Sequence, residues 1–584
     1  MKKFFFGFAA GILSLIVLAA LLVVFAVMTG GNRKPRVEAN TVLLLNLEGD
    51  LPEQSPLETP LPFLQRTEPL TVAETWNLLH RAAGDSRIKA LVLEPRGLNI
   101  GWAKLEELRG DILAFKKSGK PVYAFLRTGG TREYYLATAA DRIFISPEDE
   151  LDVKGMRAEL MYVKGALDKL GVNMEFEHVG KYKDAPDMFT KNGSSPETRE
   201  VLNQLLDQFY GGFIAAVADG RKKTPDAIRA AIDNGPFVGE EALSAGLIDE
   251  LAYEEQMYSK LETAKGKFTK LRAKDYARAL GPNLGNEKGT KVALLIGQGD
   301  ITRGGTEETA SNDGISTANM VKLLREVRDD DSVKAVILRV DSPGGDSIAS
   351  DEILHEAKLL SAKKPTIISM SDLAASGGYY ISMTGDPILA YPNTETGSIG
   401  IFFGKINLHG LYDKLGVNEE IMKRGRFADI DTEYQPLNDA QRAKLRTEIE
   451  TFYKGFVQKV ADSRKRKYDQ VEPLAQGRVW TGTQAKQNGL VDELGGLDRA
   501  IEMIRQKAQI PSAQGVTLVA YPARRSVIEM LLDRGGDLTS MESFANQKIE
   551  TELETRGLPV RSLLHGAWAQ GGMLSLMPYR IITK

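Results

Sequence analysis

The feature that most constrains the fold of this chain is an internal repetition. The hexapeptide DKLGVN occupies residues 168–173 and returns at 413–418, an offset of 245 residues. A constant offset over many positions indicates a duplicated folding unit. Other matching pairs at this offset are Tyr134 and Tyr379, Tyr135 and Tyr380, and Gly180 and Gly425. The sequence therefore predicts two similar halves.

Each half has the pattern of an α/β fold. In the first half the apolar runs ALVLE, PVYAF and RIFIS alternate with helical stretches such as WAKLEELRGDILAFKKS. The second half repeats this with KAVILRV, PTIISM and PILAY around DEILHEAKLLSAK. Short, continuous apolar strands between helices are typical of a buried, largely parallel sheet.

The repetition also divides the chain into segments. A polar, basic stretch with several Gly and Pro residues separates the halves, and the last part of the chain has no counterpart in the first half. The predicted segments are an N-terminal anchor (1–36), a first repeat (40–263), a linker (264–290), a second repeat (291–514) and a C-terminal extension (515–584).

The N-terminus predicts a membrane anchor. Residues 4–28 carry no charge, and about 20 such residues are enough for a helix to cross the ~30 Å core of a bilayer. The apolar part of a cleaved signal peptide is usually only ~7–15 residues long. We therefore expect an uncleaved anchor over about 4–28, with a removed signal peptide as the alternative. Either way the body of the protein would be exported.

Composition excludes several classes of function. The net charge of −3 argues against a nucleic-acid partner. The chain has no cysteine, which excludes disulfides, thiol catalysis and thiolate metal sites. The five histidines show no zinc-protease spacing such as HExxH, and Ala374 takes the first glycine position of a GxSxG motif. We expect no metal and no cofactor.

The two halves differ at a serine and a pair of glycines. Ser376 lies in SDLAASGGYY, and the equivalent position of the first half is Thr131. Gly344 and Gly345 of VDSPGGD have Asn99 and Ile100 as their counterparts. The first half has therefore lost a hydroxyl flanked by small residues and a Gly-Gly turn.

The second half has lost a lysine instead. Lys183 in GKYKDA corresponds to Ala428 in GRFADI. If an ancestor had a complete site in each half and only one composite site survived, one half would keep the serine and the other the lysine. A serine needs a base to become nucleophilic, and a lysine can be that base. Burial must first lower its pKa from about 10.4 toward neutrality. The sequence thus suggests a Ser376–Lys183 pair.

Backbone amides near the serine could stabilise an oxyanion. Gly344 and Gly345 follow the strand AVILRV, and Gly377 follows the serine. Glycine allows a substrate to approach the backbone closely, and its N–H can donate to a developing negative charge. The glycine pair forming only a turn is the simpler alternative.

The serine and the lysine each have a simpler interpretation. Ser376 could be a packing serine, and Lys183 a surface lysine, as most lysines are. Lys181 is the nearest rival, but its counterpart Arg426 keeps the charge, which favours a structural role. His178 is a weaker candidate base, because no neighbouring acid is evident.

Four motifs together resemble one family. DSPGG, AASGGYY, NTETGSIGIF (393–402) and VGKYKDA occur in the order found in the signal peptide peptidase A (protease IV) family, in its long double-domain form. The resemblance covers residues 1 to about 510. It implies tandem ClpP/crotonase-like domains and a membrane-anchored Ser/Lys serine protease that degrades released signal peptides and other apolar peptides through an acyl-enzyme. Ser376 and Lys183 match its dyad, and Ser398 matches a lysine-orienting position.

The resemblance further implies a location and an assembly. A bacterial inner-membrane protein with its catalytic body on the periplasmic side is expected, as a homotetramer around an apolar interior. A crotonase-type acyl-CoA enzyme and a non-catalytic membrane scaffold descended from the protease remain alternatives. Whether the dyad forms within one chain or between subunits stays open.

Overall fold

A computed structural model describes most of the chain. The described residues are 35–55, 69–281, 283–285, 288–304, 314–523 and 572–576. The predicted anchor, residues 4–28, lies outside them, as does most of the predicted extension. Among the described residues, no helix is both long and apolar enough to span a bilayer.

The first half alternates short strands with helices. Its strands are β1 (Thr41–Gly49), β2 (Ile88–Leu98), β3 (Val122–Leu126), β4 (Gly129–Gly130), β5 (Arg142–Ile145), β6 (Glu150–Asp152), β7 (Asn173–Val179), β8 (Phe237–Val238), β9 (Glu250–Leu251) and β10 (Thr269–Arg272). Its helices are α1 (Val72–Gly84), α2 (Trp102–Lys116), α3 (Thr131–Ala137), α4 (Lys164–Leu170), α5 (Asp187–Thr190), α6 (Pro196–Arg221), α7 (Pro225–Ile232), α8 (Gly239–Ser244), α9 (Glu254–Lys265) and α10 (Ala273–Leu280).

The second half repeats the alternation and adds strands of its own. Its strands are β11 (Leu284–Gly285), β12 (Thr290–Gln298), β13 (Ile301–Thr302), β14 (Ile315–Ser316), β15 (Ala335–Ser342), β16 (Gly344–Asp346), β17 (Thr366–Ala375), β18 (Ile388–Ala390), β19 (Glu395–Gly397), β20 (Ile401–Asn407), β21 (Val479–Thr481), β22 (Glu493–Leu494), β23 (Val516–Tyr521) and β24 (Gly572–Leu576). Its α-helices are α11 (Thr317–Asp329), α12 (Ser347–Lys363), α13 (Gly377–Ile381), α14 (His409–Leu415), α15 (Asp439–Ser463), α16 (Tyr468–Val471), α17 (Gly482–Asn488) and α18 (Leu497–Lys507).

The two halves share one sheet topology. The first sheet has the order β10-β1-β2-β3-β5-β9, and the second contains the matching run β23-β12-β15-β17-β18-β22. All neighbours within these two runs are parallel. The expectation of two similar α/β halves is confirmed. The outermost strands of these two parallel runs, β10 and β23, lie in segments whose sequence predicted a linker and an extension.

Helices cover both faces of each parallel sheet, which explains the continuous apolar strands. In β2, Leu91 and Leu93 pack into one core cluster, whereas Ala90 and Val92 pack into another on the opposite face. Alternate residues of a strand point to opposite faces, so a strand buried on both faces needs apolar residues throughout.

A strand from each half joins the two halves. β7 of the first half pairs antiparallel with β20 of the second along its whole length, from Asn173 opposite Asn407 to Val179 opposite Ile401. Arg442 of α15 adds ion pairs to Glu175 (3.2 Å) and Glu177 (3.0 Å) of β7. β7 leads into the loop that carries Lys183, so this pairing brings a first-half loop to the second half.

Buried charges also bridge the halves. The Arg339 guanidinium of β15 lies 2.9 Å from a carboxylate oxygen of Glu53 and 2.5 Å from one of Glu107, both in the first half. Lys104 of α2 lies 2.6 Å from Asp341. Buried charges are tolerated only with such partners, because an unpaired one costs several kcal/mol. The network therefore favours one fixed arrangement of the halves.

Candidate active site

Ser376 lies at the junction between β17 and α13. Its backbone has φ +56° and ψ −113°, a conformation that non-glycine residues rarely adopt, and its N–H donates to the Gly397 carbonyl at 2.7 Å. Such a conformation costs of order 1–3 kcal/mol and concentrates at functional sites. The side chain is fully buried. Helix α13 begins directly after the serine and ends at Ile381.

Lys183 reaches this serine from the loop after β7. Its Nζ donates to Ser376 Oγ at 2.8 Å, to Ser398 Oγ at 3.0 Å and to the Ser398 carbonyl at 3.2 Å. Only 1% of the Lys183 surface is exposed. The sequence-predicted residues Ser376, Lys183 and Ser398 thus come together, within one chain and from both halves.

Burial changes the acidity of this lysine. It lowers the pKa of Lys183 to about 7, against an opposing effect of the neighbouring Asp184 carboxylate. Removing an ammonium from water disfavours its charged form. Burial also raises the pKa of Asp184 to about 6. Near neutral pH, a large fraction of Lys183 is therefore neutral and hydrogen-bonded to a serine, which is the state that a general base requires.

Glycines make room for the lysine side chain. A Cβ added at Gly477 would lie 2.5 Å from the Lys183 Cβ, and one at Gly400 would lie 3.1 Å from its Cδ. The Gly180 position is equally tight, because a Cβ there would lie 2.4 Å from the Gln476 carbonyl. The segment 476–478 of the second half therefore packs directly on the backbone of the Lys183 loop.

Arg478 contacts both the lysine loop and the Ser398 turn. Its guanidinium lies 4.7 Å from the Tyr182 ring centre and 4.4 Å from that of Trp480, and it donates to the Tyr182 hydroxyl at 2.7 Å. It also pairs with Glu200 at 2.8 Å. The Arg478 carbonyl accepts the Ser398 N–H at 2.7 Å. Arg478 therefore contacts both Tyr182, which precedes Lys183 in the chain, and Ser398, which binds the Lys183 Nζ.

Sequence reasoning missed Gly400, Gly477 and Arg478. The comparison between halves did contain one signal, because Arg478 stands where the first half has Gly235, at an offset of 243. The two close-packed glycines had no such signal. Their role depends on a contact between the halves that local sequence does not specify.

The three predicted oxyanion glycines converge beside Ser376. Gly344 has φ +102° and Gly345 φ +152°, so both adopt backbone conformations that favour glycine. A Cβ added at Gly377 would lie 3.0 Å from the Gly344 Cα and 3.1 Å from the Gly345 nitrogen. The Gly344 N–H donates to the Ser342 hydroxyl at 3.1 Å, so it already has a partner within the protein.

The rival residues lie elsewhere. Lys181 is exposed, with its Nζ 4.8 Å from the Tyr182 ring centre. His178 is exposed as well, with its Nδ1 3.3 Å from the Gly180 carbonyl. Thr131, the first-half counterpart of Ser376, begins helix α3. Ala428, the second-half counterpart of Lys183, is exposed. Over the part of the chain that the structure describes, no cluster of acidic and histidine side chains could hold a metal ion.

Comparison with known proteins shows the family of the chain. Peptidase family S49 matches the chain twice, over residues 114–267 and 358–511. The chloroplastic serine protease SPPA of Arabidopsis thaliana is 36% identical over 493 residues, which cover 83% of this chain and 72% of that protein. Protease 4 of Haemophilus influenzae is 33% identical over 510 residues, covering 83% of this chain and 82% of the relative.

A solved structure, ClpP1 from Listeria monocytogenes, aligns with 35% of this chain and 91% of its own, at 16% identity and a TM-score of 0.21. The double family match follows the same duplication as the two parallel sheets. The sequence relatives are serine proteases or proteases by name and are matched over most of their length. The chain therefore belongs to peptidase family S49, is similar over most of its length to the SppA and protease 4 enzymes, and is a serine peptidase.

Proposed function

We propose that the chain is a membrane-anchored endopeptidase in which Lys183 activates Ser376 of the same chain. The observation that carries this proposal is the 2.8 Å contact between the Lys183 Nζ and the Ser376 Oγ. The pKa of Lys183, lowered to about 7 by burial, supports it. A crotonase-type acyl-CoA enzyme would not need this contact, and a decayed scaffold would not be expected to keep it.

The reaction follows from these positions. Neutral Lys183 takes the hydroxyl proton as Ser376 Oγ attacks the scissile carbonyl, which forms a tetrahedral intermediate. The intermediate collapses with cleavage of the C–N bond, and the amine leaves with the proton from Lys183. The resulting ester on Ser376 is then hydrolysed by a water whose proton passes to Lys183, and the serine regains its proton.

Ser398 is proposed to orient the base. Its hydroxyl and carbonyl oxygens both accept from the Lys183 Nζ, which leaves the lysine few other orientations. Ser398 itself has φ +48° and is fully buried. A residue held in such a conformation by its surroundings keeps a neighbouring group in place at little cost during the reaction.

The oxyanion is proposed to be bound by the amides of Gly345 and Gly377. Gly377 directly follows the nucleophile, and the backbones of Gly345 and Gly377 lie close together. Gly344 contributes through its shape, because its own N–H donates to Ser342. Two amide donors aimed at the developing charge are the usual requirement for acyl transfer.

The substrates are proposed to be apolar peptides, including signal peptides released from precursors. The uncharged run at residues 4–28 supports this, because an anchor there would hold the catalytic body at the membrane surface. We place the protein in the bacterial inner membrane with the body on the periplasmic side. No nucleic-acid partner, metal or cofactor is proposed.

We also propose ClpP/crotonase-like domains and a homotetramer. The pairing of β7 with β20 supports the homotetramer, because the segments equivalent to these two strands in the opposite halves are not paired in the described chain. β7 pairs with β20, whereas the equivalent segments 156–162 and 418–424 form no strand in the described chain. Pairing of 156–162 with 418–424 of a second copy would repeat the same join and build a ring.

The glycines of the repeated hexapeptide support the same ring. A Cβ at Gly171 would lie 2.5 Å from the Gly410 carbonyl, so these two backbones touch. Their equivalents Gly416 and Gly165 have no such neighbour within the described chain, although both are glycine. The ring would bring Gly416 of one copy against Gly165 of the next.

The test of the dyad uses single and mixed variants of the full chain. Ser376→Ala and Lys183→Ala should each abolish cleavage of an apolar reporter peptide, and Thr131→Ala should leave turnover nearly unchanged. Co-assembled Ser376→Ala and Lys183→Ala chains should stay inactive, because each composite site lies within one chain. Recovery of activity in the mixture would place the dyad between subunits, and an active Lys183→Ala enzyme would reject the base.

A further inference from the structure

The parallel strands of the first sheet all begin at one edge of that sheet. Thr41 at the start of β1 lies opposite Ile88 of β2 and Thr269 of β10. Tyr123 of β3 in turn lies opposite Arg142 of β5. We call this edge, where β1, β2, β3, β5 and β10 begin, the amino edge. The predicted anchor precedes β1 in the chain, so the segment that links it to the body enters the fold at the amino edge.

Exposed lysines without an acidic partner lie along the amino edge. Lys89 is the second residue of β2, Lys117 directly follows α2, and Lys267 lies between α9 and β10. All three are exposed, and none has an acidic partner within the described chain. Burial lowers the pKa of Lys120, and the positive charge of Lys89 lowers it further against the opposing effect of Asp85. Two of the cations at this edge therefore lie close to each other.

Lys267 lies beside the point where the linking segment enters the fold. The Asn40 side chain donates to the Lys267 carbonyl, and the Thr269 N–H donates to the Asn40 carbonyl at 3.1 Å. Arg36, which precedes Asn40 in the linking segment, is exposed as well. Positive charge is therefore present both in the segment that leads from the anchor and in the part of the fold that receives it.

The duplicated half shows that the fold does not require this charge. Three cations of the first half and their neutral counterparts, the last pair taken from the registers of β10 and β23, are Arg87 and Ser332, Arg142 and Pro387, and Lys267 and Gly515. The second half also has the acidic run 329–331 before β15, and two of its acids pair with Lys291 and Lys363. The segments that lead into the strands are therefore more positive in the half to which the predicted anchor is attached.

A bilayer surface with anionic headgroups fits the amino edge. Each lysine close to such a surface strengthens binding by about fivefold, and the attraction falls off within ~10 Å at moderate salt. The net charge of the whole chain is −3, so this attraction is local to the edge. Because the anchor would already hold the body near the membrane, a few lysine contacts are enough to keep the edge docked.

We propose that the amino edge of the first sheet docks on anionic phospholipid headgroups and thereby sets the orientation of the body on the membrane. The proposal rests on the anchored peptidase proposed above and adds how its body meets the bilayer. The anchor alone does not set this orientation, because residues 29–40 could span ~40 Å when fully extended. The lysine contacts supply the second attachment that the linking segment lacks.

The docking can be measured on the full chain. We would reconstitute it in nanodiscs of phosphatidylcholine, or of phosphatidylcholine mixed with phosphatidylglycerol, and follow the acylation of single lysines by mass spectrometry. With phosphatidylglycerol, the rates at Lys89, Lys117 and Lys267 should fall at least about threefold, because headgroups cover these amines. High salt should remove the difference between the two discs, since it screens the attraction.

A lysine at the opposite edge of the sheet is the matched control. Lys154 is exposed and follows β6, which pairs with β4 beyond the carboxyl end of β3, so its rate should be the same in both discs. In the triple variant Lys89→Gln, Lys117→Gln and Lys267→Gln, the rate at the exposed neighbour Lys265 should no longer depend on the lipid. Equal rates at the three lysines in both discs, or an equal fall at Lys154, overturn the proposal and favour a soluble acidic partner for this edge.

Failure of the proposed function would be seen separately. Turnover does not enter the measurement, and a chain that does not enter the discs shows that the anchor proposed above is wrong. The amino edge is then tested by itself with preformed phosphatidylglycerol vesicles, which the parent chain should bind and the triple variant should not. Absence of binding by the parent chain overturns the docking in that case too.

Discussion

The Lys183 Nζ lies 2.8 Å from the Ser376 Oγ although the two residues are 193 positions apart. They belong to different halves of a duplicated chain, and their contact depends on the pairing of β7 with β20. The same contact explains why the halves diverged in complementary ways. Once one half supplied the serine and the other the lysine, the second copy of each was free to change.

The activity should depend on pH with an apparent pKa near 7. The pKa of Lys183 is lowered from 10.5 to about 7, so the neutral base predominates above this pH. kcat/KM should therefore rise as pH increases through 7 and level off above it. A pH series on an apolar reporter peptide checks this. A profile that begins to rise only near the ordinary lysine pKa of about 10.4 would contradict burial as the cause.

Lys183→Met should stabilise the protein while it abolishes activity. In the unfolded chain the lysine stays protonated up to a pKa of 10.5, whereas in the fold it must lose its proton above about 7. At neutral pH this costs folding free energy on the order of a few kcal/mol, which methionine avoids.

The gain from Lys183→Met should shrink as pH rises toward 10.5, because the unfolded lysine then also becomes neutral. Melting temperatures of the parent and variant at neutral and at alkaline pH measure this difference. Lys181→Met, an exposed neighbour, is the control and should change little. A lower melting temperature for Lys183→Met at neutral pH would mean that its hydrogen bonds outweigh the burial cost.

Gly477→Ala should inactivate the enzyme without unfolding it. The new methyl group would lie 2.5 Å from the Lys183 Cβ, and the φ of +78° adds backbone strain. Displacing the base by about 1 Å typically costs on the order of a hundredfold in rate. Gly193→Ala is the matched control, because nothing lies within 4 Å of its added Cβ. Equal activity of the two variants would show that the lysine loop can relax.

Arg478 should act as a positioning residue. Arg478→Met should lower kcat by about tenfold or more, with little change in KM, because its side chain holds the Lys183 loop and not the substrate. Looser packing should also expose the lysine to water and raise its pKa, which moves the pH profile to higher pH.

Arg478→Lys separates charge from shape in this position. Lysine keeps the charge but cannot lie flat between Tyr182 and Trp480, so recovery should be partial. Arg426→Met, on an exposed segment of the second half, is the control. A drop in kcat with an unmoved pH profile would reduce Arg478 to a general contribution to stability.

The sequence predicted the α/β halves and the serine and lysine because each rests on a local signal or on comparison of the repeats. The edge strand β10, whose sequence is TKLR and which is largely exposed, has no such signal. The pairing of β7 with β20 could not be predicted either. The segment equivalent to each of these strands, 418–424 for β7 and 156–162 for β20, forms no strand in the described chain, so comparison of the repeats does not reveal the pairing. Gly400 and Gly477 likewise depend on contacts with Lys183 of the other half, and the positive φ of Ser376 accompanies a hydrogen bond from its N–H to Gly397 that the sequence does not specify.

The proposed ring makes a specific prediction about its missing contacts. In the register of β7 and β20, segment 156–162 of one copy would pair with 418–424 of the next, with Ala158 opposite Met422. Met422 is 81% exposed in the single chain, as expected for a residue awaiting a partner. Met422→Asp should therefore lower the oligomeric mass measured by light scattering. Leu359→Asp, a change at an exposed leucine of α12, should not.

A charge exchange tests the same interface more stringently. The equivalents of Glu175 and Arg442, which form an ion pair between the halves, are Glu420 at an offset of 245 and Arg199 at the offset of 243 that relates the two long helices, and both are exposed. Glu420→Arg should weaken the assembly, because it places two cations together across the join, and adding Arg199→Glu should restore it. The second substitution can restore the assembly only if residues 420 and 199 meet between two copies, because only then does it recreate an ion pair across the join. If both the single and the double variant keep the parent mass, the ring does not use this join.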